Sequence, residues 1–235
     1  VARTGSAPTR ARHVRDELRD ELLVGRYRPG ERLPVAAVAE HFTVSVTVAR
    51  EALMMLASDG LVVSEPQAGF RVIELSTEHL VDLTSVRVDI DCIALRRSVT
   101  QAGLPWESAA LAAHHTLAST PMYHEDEPGV SRAWSAAHTE FHRALVAGCG
   151  SRILLELRDR LWDASTMYRS WSAEVHRTCG RDVAREHREL LDAALARDAD
   201  RAVELLAAHI SRTTELVLEH RARAAKEDED AEAVG

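Results

Sequence analysis

The sequence predicts a mainly α-helical protein in two parts, a small winged helix-turn-helix followed by an antiparallel helical bundle. Three observations carry this. Aromatic residues are only 4% of the chain while Ala, Leu and Arg are abundant, a composition that favours helix. The first 75 residues fall into short pieces punctuated by Gly and Pro. From Thr77 onward apolar residues recur at helical spacing over long stretches.

Each element of the first part has a local cause. In "RHVRDELRDELLVG", Val14, Leu18, Leu22 and Leu23 lie on one helical face, and Gly25 stops the helix. "RYRPGERLP" reads as a turn, broken by Pro29-Gly30, with Pro34 opening the next piece. "VAAVAEHF" is a short helix. "TVSVTVAREALMMLASDG" is a second one, capped by Ser45 and ended by Gly60. "LVVSE" and "FRVIEL" are two strands around the tight connection "PQAG".

In the second part the expected helices are 77–101, 105–119, 127–148, 150–171, 180–197 and 199–223. They are broken at Gly103-Leu104-Pro105, Pro121, Pro128-Gly129, Gly148 and Gly180. The domains are therefore 1–75 and 76–225. The acidic end, 226–235, reads as a disordered tail, since it offers little to bury. There is no internal repeat.

Charge and cysteines narrow the function classes. The net charge is −8, which argues against a nucleic-acid binder as a whole. Its distribution does not: residues 1–32 carry eight Arg against five acidic residues, and residues 1–75 are balanced. A locally basic head on an acidic body suits a DNA-binding unit attached to a non-binding one. Cys92, Cys149 and Cys179 show no paired spacing, as expected in a reducing cytoplasm. No stretch reads as a membrane span, and "VARTGSAPTRAR" lacks the apolar core of a signal peptide.

The helix-turn-helix pattern spans "VAAVAEHFTVSVTVAREALMMLASDGLV". Val38, Phe42 and Val44 bury the turn, and Ala52, Leu53 and Leu56 bury the back of the second helix. Ser45, Thr47 and Arg50 are left near its exposed start, where hydroxyls and the helix N-terminus suit phosphate and Arg suits phosphate or guanine. Gly69 lets the wing approach a groove. On pattern alone, a helical turn that binds nothing is an equal alternative. The blocks "GRYRPGERLP", "VSVTVAREALMMLASDGLV" and "GFRV" resemble the winged-helix head of the GntR family of bacterial repressors. The resemblance implies double-stranded DNA as partner, a palindromic operator, and contacts at Arg32, Ser45, Thr47, Arg50 and Gly69. The family usually has S-R-T-P-V-R where this chain has Ser45-Val46-Thr47-Val48-Ala49-Arg50. Val46 cannot donate a hydrogen bond, so the usual operator is in doubt as the preferred site.

Four of the twelve histidines fall on inward stripes: His138 and His142 one turn apart in "AHTEFHRAL", then His187 and His209 on later helices. An i,i+4 pair can chelate from a single helix turn, and two further imidazoles can close the site. Singly, each is more often a packed core residue. The blocks "HTEFHRALVAGCGS", "EHRELLDA" and "AAHISR", with "LVDLTSVRVDIDCIAL", resemble the FCD ligand-binding domain of FadR-like GntR regulators. In many such domains one Asp and three His hold a divalent metal below an effector cavity. His142, His187 and His209 match the three His, and His138 stands where the family has Asp. An all-imidazole set favours Zn²⁺, or Ni²⁺, over Mn²⁺ or Mg²⁺.

Arg87 is the other inward charge. The resemblance gives it an effector carboxylate to grip; the bare sequence equally allows an ion pair with Asp91 one turn on. Trp134, Trp162 and Tyr168 either line the pocket or pack the core. The reading is a cytoplasmic, homodimeric regulator, a repressor, whose DNA affinity answers to a small carboxylate metabolite held by the metal, Arg87, Trp134 and Tyr168. Two alternatives stay open: a regulator for which the ion is itself the signal, and a metal-dependent enzyme.

Overall fold

A computed structural model describes residues 7–65, 69–74, 76–123, 130–171 and 180–234. The chain divides into two compact units, one of residues 1–76 with 163–171, the other of 77–162 with 172–235.

The first unit contains α1 (Ala7–Leu23), β1 (Arg32–Leu33), α2 (Val35–His41), α3 (Val46–Ser58), β2 (Val62–Glu65) and β3 (Gly69–Val72). In α1, Ala11, Val14, Leu18 and Leu22 form the buried stripe that their spacing predicts. α3 starts at Ser45, whose Oγ accepts from the Val48 amide at 3.3 Å, and buries Val48, Ala49, Ala52, Leu53 and Leu56. The turn between α2 and α3 places Thr43 at φ +53°, a left-handed conformation that a β-branched residue adopts only when the surrounding fold enforces it.

The strands form an antiparallel sheet in the order β1-β3-β2, with Leu33 opposite Phe70 and Ser64 opposite Phe70 on the other side. β1 differs from the sequence reading, which has only a turn there. Two residues are too few to show strand alternation, yet Leu33 is buried and Arg32 exposed, as alternation demands. Residues 66–68 of the expected wing connection lie outside the described residues. From 163–171, Met167 joins this unit's core, Asp163 forms a bidentate pair with Arg19 at 2.5 and 2.6 Å, and the Tyr168 hydroxyl donates to the Ser76 carbonyl at 3.4 Å.

Among the described residues, the second unit's elements are all helical: α4 (Thr77–Gln101), α5 (Leu104–Ala118), α6 (Arg132–Val146), a 3₁₀ turn (Ala147–Cys149), the first part of α7 (Arg152–Trp171), α8 (Val183–Leu195) and α9 (Ala199–Val234). The expected start of the third bundle helix, 127–129, lies outside the described residues; α6 begins after Ser131, whose Oγ accepts from the Trp134 amide. α9 continues to Val234, through the acidic stretch expected to be a disordered tail. Leu95, Val99, Phe141, Leu145, Leu190, Leu191, Leu206 and Ile210 pack the core. Trp106 is buried with its indole N–H donating to the Leu145 carbonyl at 3.1 Å, so its polar atom is satisfied.

Gly148, in the 3₁₀ turn between α6 and α7, sits where no side chain fits. A Cβ there would lie 2.4 Å from the Ala102 Cβ and 3.1 Å from the Trp106 ring. Gly148→Ala must push these apart, and is expected to cost about 1–3 kcal/mol, like other overpacked cores. Thermal melting checks it, and an unchanged midpoint would show that the α4–α5 corner yields freely.

Candidate metal centre and nucleic-acid interface

The four inward histidines converge. α6 supplies His138 and His142 from successive turns, α8 supplies His187 and α9 supplies His209. All four are buried, and one ligand nitrogen from each lies within 4.8 Å of the others. The Nε2 atoms of His142 and His187 are 3.3 Å apart. A tetrahedral ion with bonds of about 2.0–2.1 Å holds its ligand nitrogens about 3.3–3.4 Å apart. Separations of up to 4.8 Å exceed that spacing by about 1.4 Å, so rings outside the His142–His187 pair must move inward to complete a tetrahedral set. Two imidazole lone pairs this close repel unless a proton or a cation lies between them. The donor set is one that could hold a metal ion.

Burial favours the neutral form of His142, His187 and His209, the form that binds metal. Burial, with the other three histidines adding to it, holds His142 well below the ordinary value. His187 is brought down to about 2 by burial and by His209 beside it. His209 is also lowered, chiefly by burial, although Glu186 opposes the shift. In metal-free protein the unfolded chain takes up protons on these residues near pH 6.5, and the folded chain does not. The stability is thus complete above about pH 6.5 and falls as pH drops toward the folded values. Each ring contributes up to about 1.4 kcal/mol per pH unit in that window. Urea midpoints of metal-stripped protein are expected to fall between pH 7.5 and 5.5. A flat profile would mean that the rings are hydrated in the fold.

Aromatic and charged groups surround the histidines. Trp134 stacks on His138 with centroids 4.7 Å apart and planes 17° from parallel. Trp162 lies 5.1 Å from His142 and donates its indole N–H to Thr139 Oγ1 at 3.2 Å. Over the Trp162 ring sit two guanidinium groups, Arg87 at 4.8 Å and Arg158 at 4.3 Å. Both are buried and share one buried carboxylate: Arg87 reaches Asp91 Oδ2 at 3.2 Å and Arg158 reaches Asp91 Oδ1 at 3.1 Å. Arg158 also donates to the partly exposed Asp159 at 3.1 Å. Burial pushes Arg87 below the usual guanidinium value; Asp91 counters this, and the nearby Arg158 reinforces it.

On the far side of His209, Glu186 Oε2 lies 2.7 Å from Nδ1. Arg181 clamps that carboxylate with two hydrogen bonds, 2.7 and 2.5 Å, and donates to the His209 carbonyl at 2.9 Å. Burial raises the Glu186 pKa, but the bonds to Arg181 and His209 outweigh it and bring the group to about 2.

The structure brings the residues singled out in the sequence into three groups. The four histidines, Arg87 and Trp134 share the bundle. Tyr168 is grouped with the first unit, its ring buried and its hydroxyl donating to the Ser76 carbonyl. Arg32, Thr47 and Arg50 are exposed in the winged unit, with Ser45 at the α3 N-terminus. Val46, the departure from the usual motif, is 52% exposed on the first turn. Gly69 opens β3 at φ +94°, with no atom of the described residues within 4 Å of a would-be Cβ. Sequence reasoning missed Arg158, although Leu154 and Trp162 four residues either side of it mark an inward stripe. Arg181 had no such signal, because it lies outside a helix.

Comparison with known proteins now gives the family. Residues 10–72 match the bacterial regulatory proteins of the gntR family, and residues 82–212, more than half the chain, match the FCD domain. This chain belongs to the GntR family, with an FCD domain. GntR proteins with these two parts are DNA-binding transcriptional regulators, and the enzyme alternative falls away. Among relatives, the HTH-type transcriptional regulator BphR of Paraburkholderia xenovorans (strain LB400) is 33% identical over 85% of this chain and 82% of its own. The HTH-type transcriptional repressor GlaR of Escherichia coli (strain K12) is 32% identical over 82% of this chain and 89% of its own. The E. coli McbR/YncC structure has the same fold, with a TM-score of 0.74 at 20% identity over 90% of this chain and 98% of that one. Among the described residues no helix of this GntR protein is long and apolar enough to cross a membrane.

Proposed function

We propose that this GntR protein is a cytoplasmic homodimeric repressor, released or retained at a palindromic operator by a small carboxylate bound beside a divalent metal in the bundle. The observation that carries the reading is the meeting of four buried imidazoles with two buried guanidinium groups around Trp162. His138, His142, His187 and His209 would hold Zn²⁺, or Ni²⁺, which supplies a fixed double positive charge and a coordination position for an oxygen ligand. Neutral imidazoles cancel none of that charge. Arg87 and Arg158 both pair with the buried Asp91, and their positive charge lies beside Trp162 and the histidines, a field that favours an anionic ligand. Trp134, stacked on His138, forms an apolar wall for the carbon skeleton. Repression as the mode of action is supported by the repressor GlaR among the relatives.

Ser45, Thr47, Arg50, Arg32 and the wing at Gly69 face the operator in this reading, and pairing of two copies presents two such surfaces to two half-sites. Arg50→Ala is expected to weaken specific binding by about 1–3 kcal/mol, measured by fluorescence anisotropy at fixed salt. Unchanged affinity would remove Arg50 from the reading surface.

The effector must bind one head arrangement better than another, otherwise it changes nothing at the DNA. Mobility-shift assays on DNA upstream of the gene, with candidate acids added to metal-loaded and metal-stripped protein, test this. A carboxylate that shifts DNA affinity only in loaded protein supports the reading. If chelation alone changes the affinity and no acid does, the ion is the signal.

A further inference from the structure

We infer that Glu186, clamped by Arg181, is a positioning residue: it fixes the tautomer of His209 and so turns His209 Nε2, with its lone pair free, toward the metal. The inference rests on the metal reading above, and it concerns a carboxylate that touches neither metal nor effector.

The hydrogen-bond geometry decides the tautomer. Two groups approach His209 Nδ1: Glu186 Oε2 at 2.7 Å and Arg181 Nη2 at 3.2 Å. They make opposite demands. A carboxylate accepts and therefore needs a proton on Nδ1; a guanidinium only donates and needs a lone pair there. Arg181 Nη2 has two N–H groups, and both already have acceptors, Glu186 Oε2 at 2.5 Å and the His209 carbonyl at 2.9 Å. It asks nothing of Nδ1. The shorter contact is the one with Glu186, so Nδ1 carries the proton and donates it. The neutral ring then has its lone pair on Nε2.

The clamp makes this arrangement stiff. Arg181 holds both oxygens of Glu186 and also donates to Thr213 Oγ1 at 2.9 Å, one turn beyond His209. It therefore ties the start of α8 to the turn of α9 that carries the ligand. A carboxylate accepting from Nδ1–H also makes the opposite nitrogen a stronger donor to a metal, as in other carboxylate–histidine–metal arrangements. Because Glu186 precedes His187 in the chain, one short stretch supplies both a ligand and the orienting group of another ligand.

Glu186→Gln separates orientation from shape. The amide is the same size, but once its oxygen serves Arg181 its NH₂ group is left facing Nδ1. His209 then accepts at Nδ1 and carries its proton on Nε2, which blocks the metal. The experiment uses full-length protein, with zinc and cobalt as probes. In metal-free wild type, nitrogen NMR of the histidine rings is expected to show His209 protonated at Nδ1. Glu186→Gln is expected to lose that signature, to bind Zn²⁺ about 10–100-fold more weakly and to show altered visible Co²⁺ bands, with a lowered metal-free melting temperature because Arg181 loses its charged partner. Glu186→Asp, which keeps an acceptor, is expected to recover part of the affinity. Equal Zn²⁺ affinity and identical Co²⁺ bands for wild type and Glu186→Gln would overturn the inference. So would a wild-type His209 protonated at Nε2, a result that stands even when the Gln variant does not fold. Wild-type protein that takes up no zinc overturns the metal reading itself, while the tautomer still reports whether Glu186 orients the ring.

Discussion

Asp91→Ala is expected to lower the stability of the bundle by about 3–5 kcal/mol, the usual cost of leaving a buried charge without its partner. Asp91 is the buried carboxylate shared by Arg87 and Arg158, both of them buried as well. Arg158 retains Asp159, which is nearer to solvent and so screens less effectively. At about 2–4 °C per kcal/mol for a domain of this size, the melting temperature is expected to fall by roughly 6–20 °C. Asp91→Asn keeps the shape and one acceptor oxygen, and is expected to fall less. The same deletion tests the effector reading. The vacancy it leaves is carboxylate-sized and lined by guanidinium N–H groups, so a small acid such as acetate is expected to restore part of the lost stability. Wild-type melting behaviour for Asp91→Ala would mean that water already satisfies both arginines.

The second large effect is on metal affinity. Zinc binding in small structural sites of four ligands is worth about 10–16 kcal/mol, which puts each ligand at about 3 kcal/mol, roughly a hundredfold to a thousandfold in affinity. His142→Ala is expected to show a loss of that size in zinc titrations. His142 is the right residue to remove, because its Nε2 and that of His187 already stand at a tetrahedral spacing of 3.3 Å. His138 tests a different point. His138→Asp replaces a soft, neutral donor with a hard, charged one, so the preference is expected to move from Zn²⁺ toward Mn²⁺. If affinity and preference stay as in wild type for both variants, neither side chain reaches the ion.

How far the sequence foretold this site depended on periodicity. His138 and His142 are one turn apart beside Phe141 and Leu145, so their shared inward face follows from helical geometry. His187 and His209 could be placed on buried stripes by the leucines around them, but their distance from the first pair depends on how α8 and α9 pack against α6. That is a tertiary fact, and only the resemblance to FCD domains supplied it in advance. For Arg87 the spacing was compatible with an ion pair or an effector contact. The structure shows the ion pair with Asp91, and shows that Arg158, from a separate helix, shares it. Tyr168 is buried, as its helical spacing allows, and is grouped with the first compact unit; spacing alone gives the burial but not the unit. β1 was missed because it is too short to display any period.

The central claim is that the four buried histidines form one divalent metal site per chain. Calorimetric titration of Zn²⁺ into metal-stripped wild-type protein near pH 7.5 tests it most directly. The account predicts saturation at one ion per chain, with binding lost or weakened at least a hundredfold in His142→Ala. No stoichiometric uptake of zinc or nickel by the wild type, or the same uptake by His142→Ala, would contradict it.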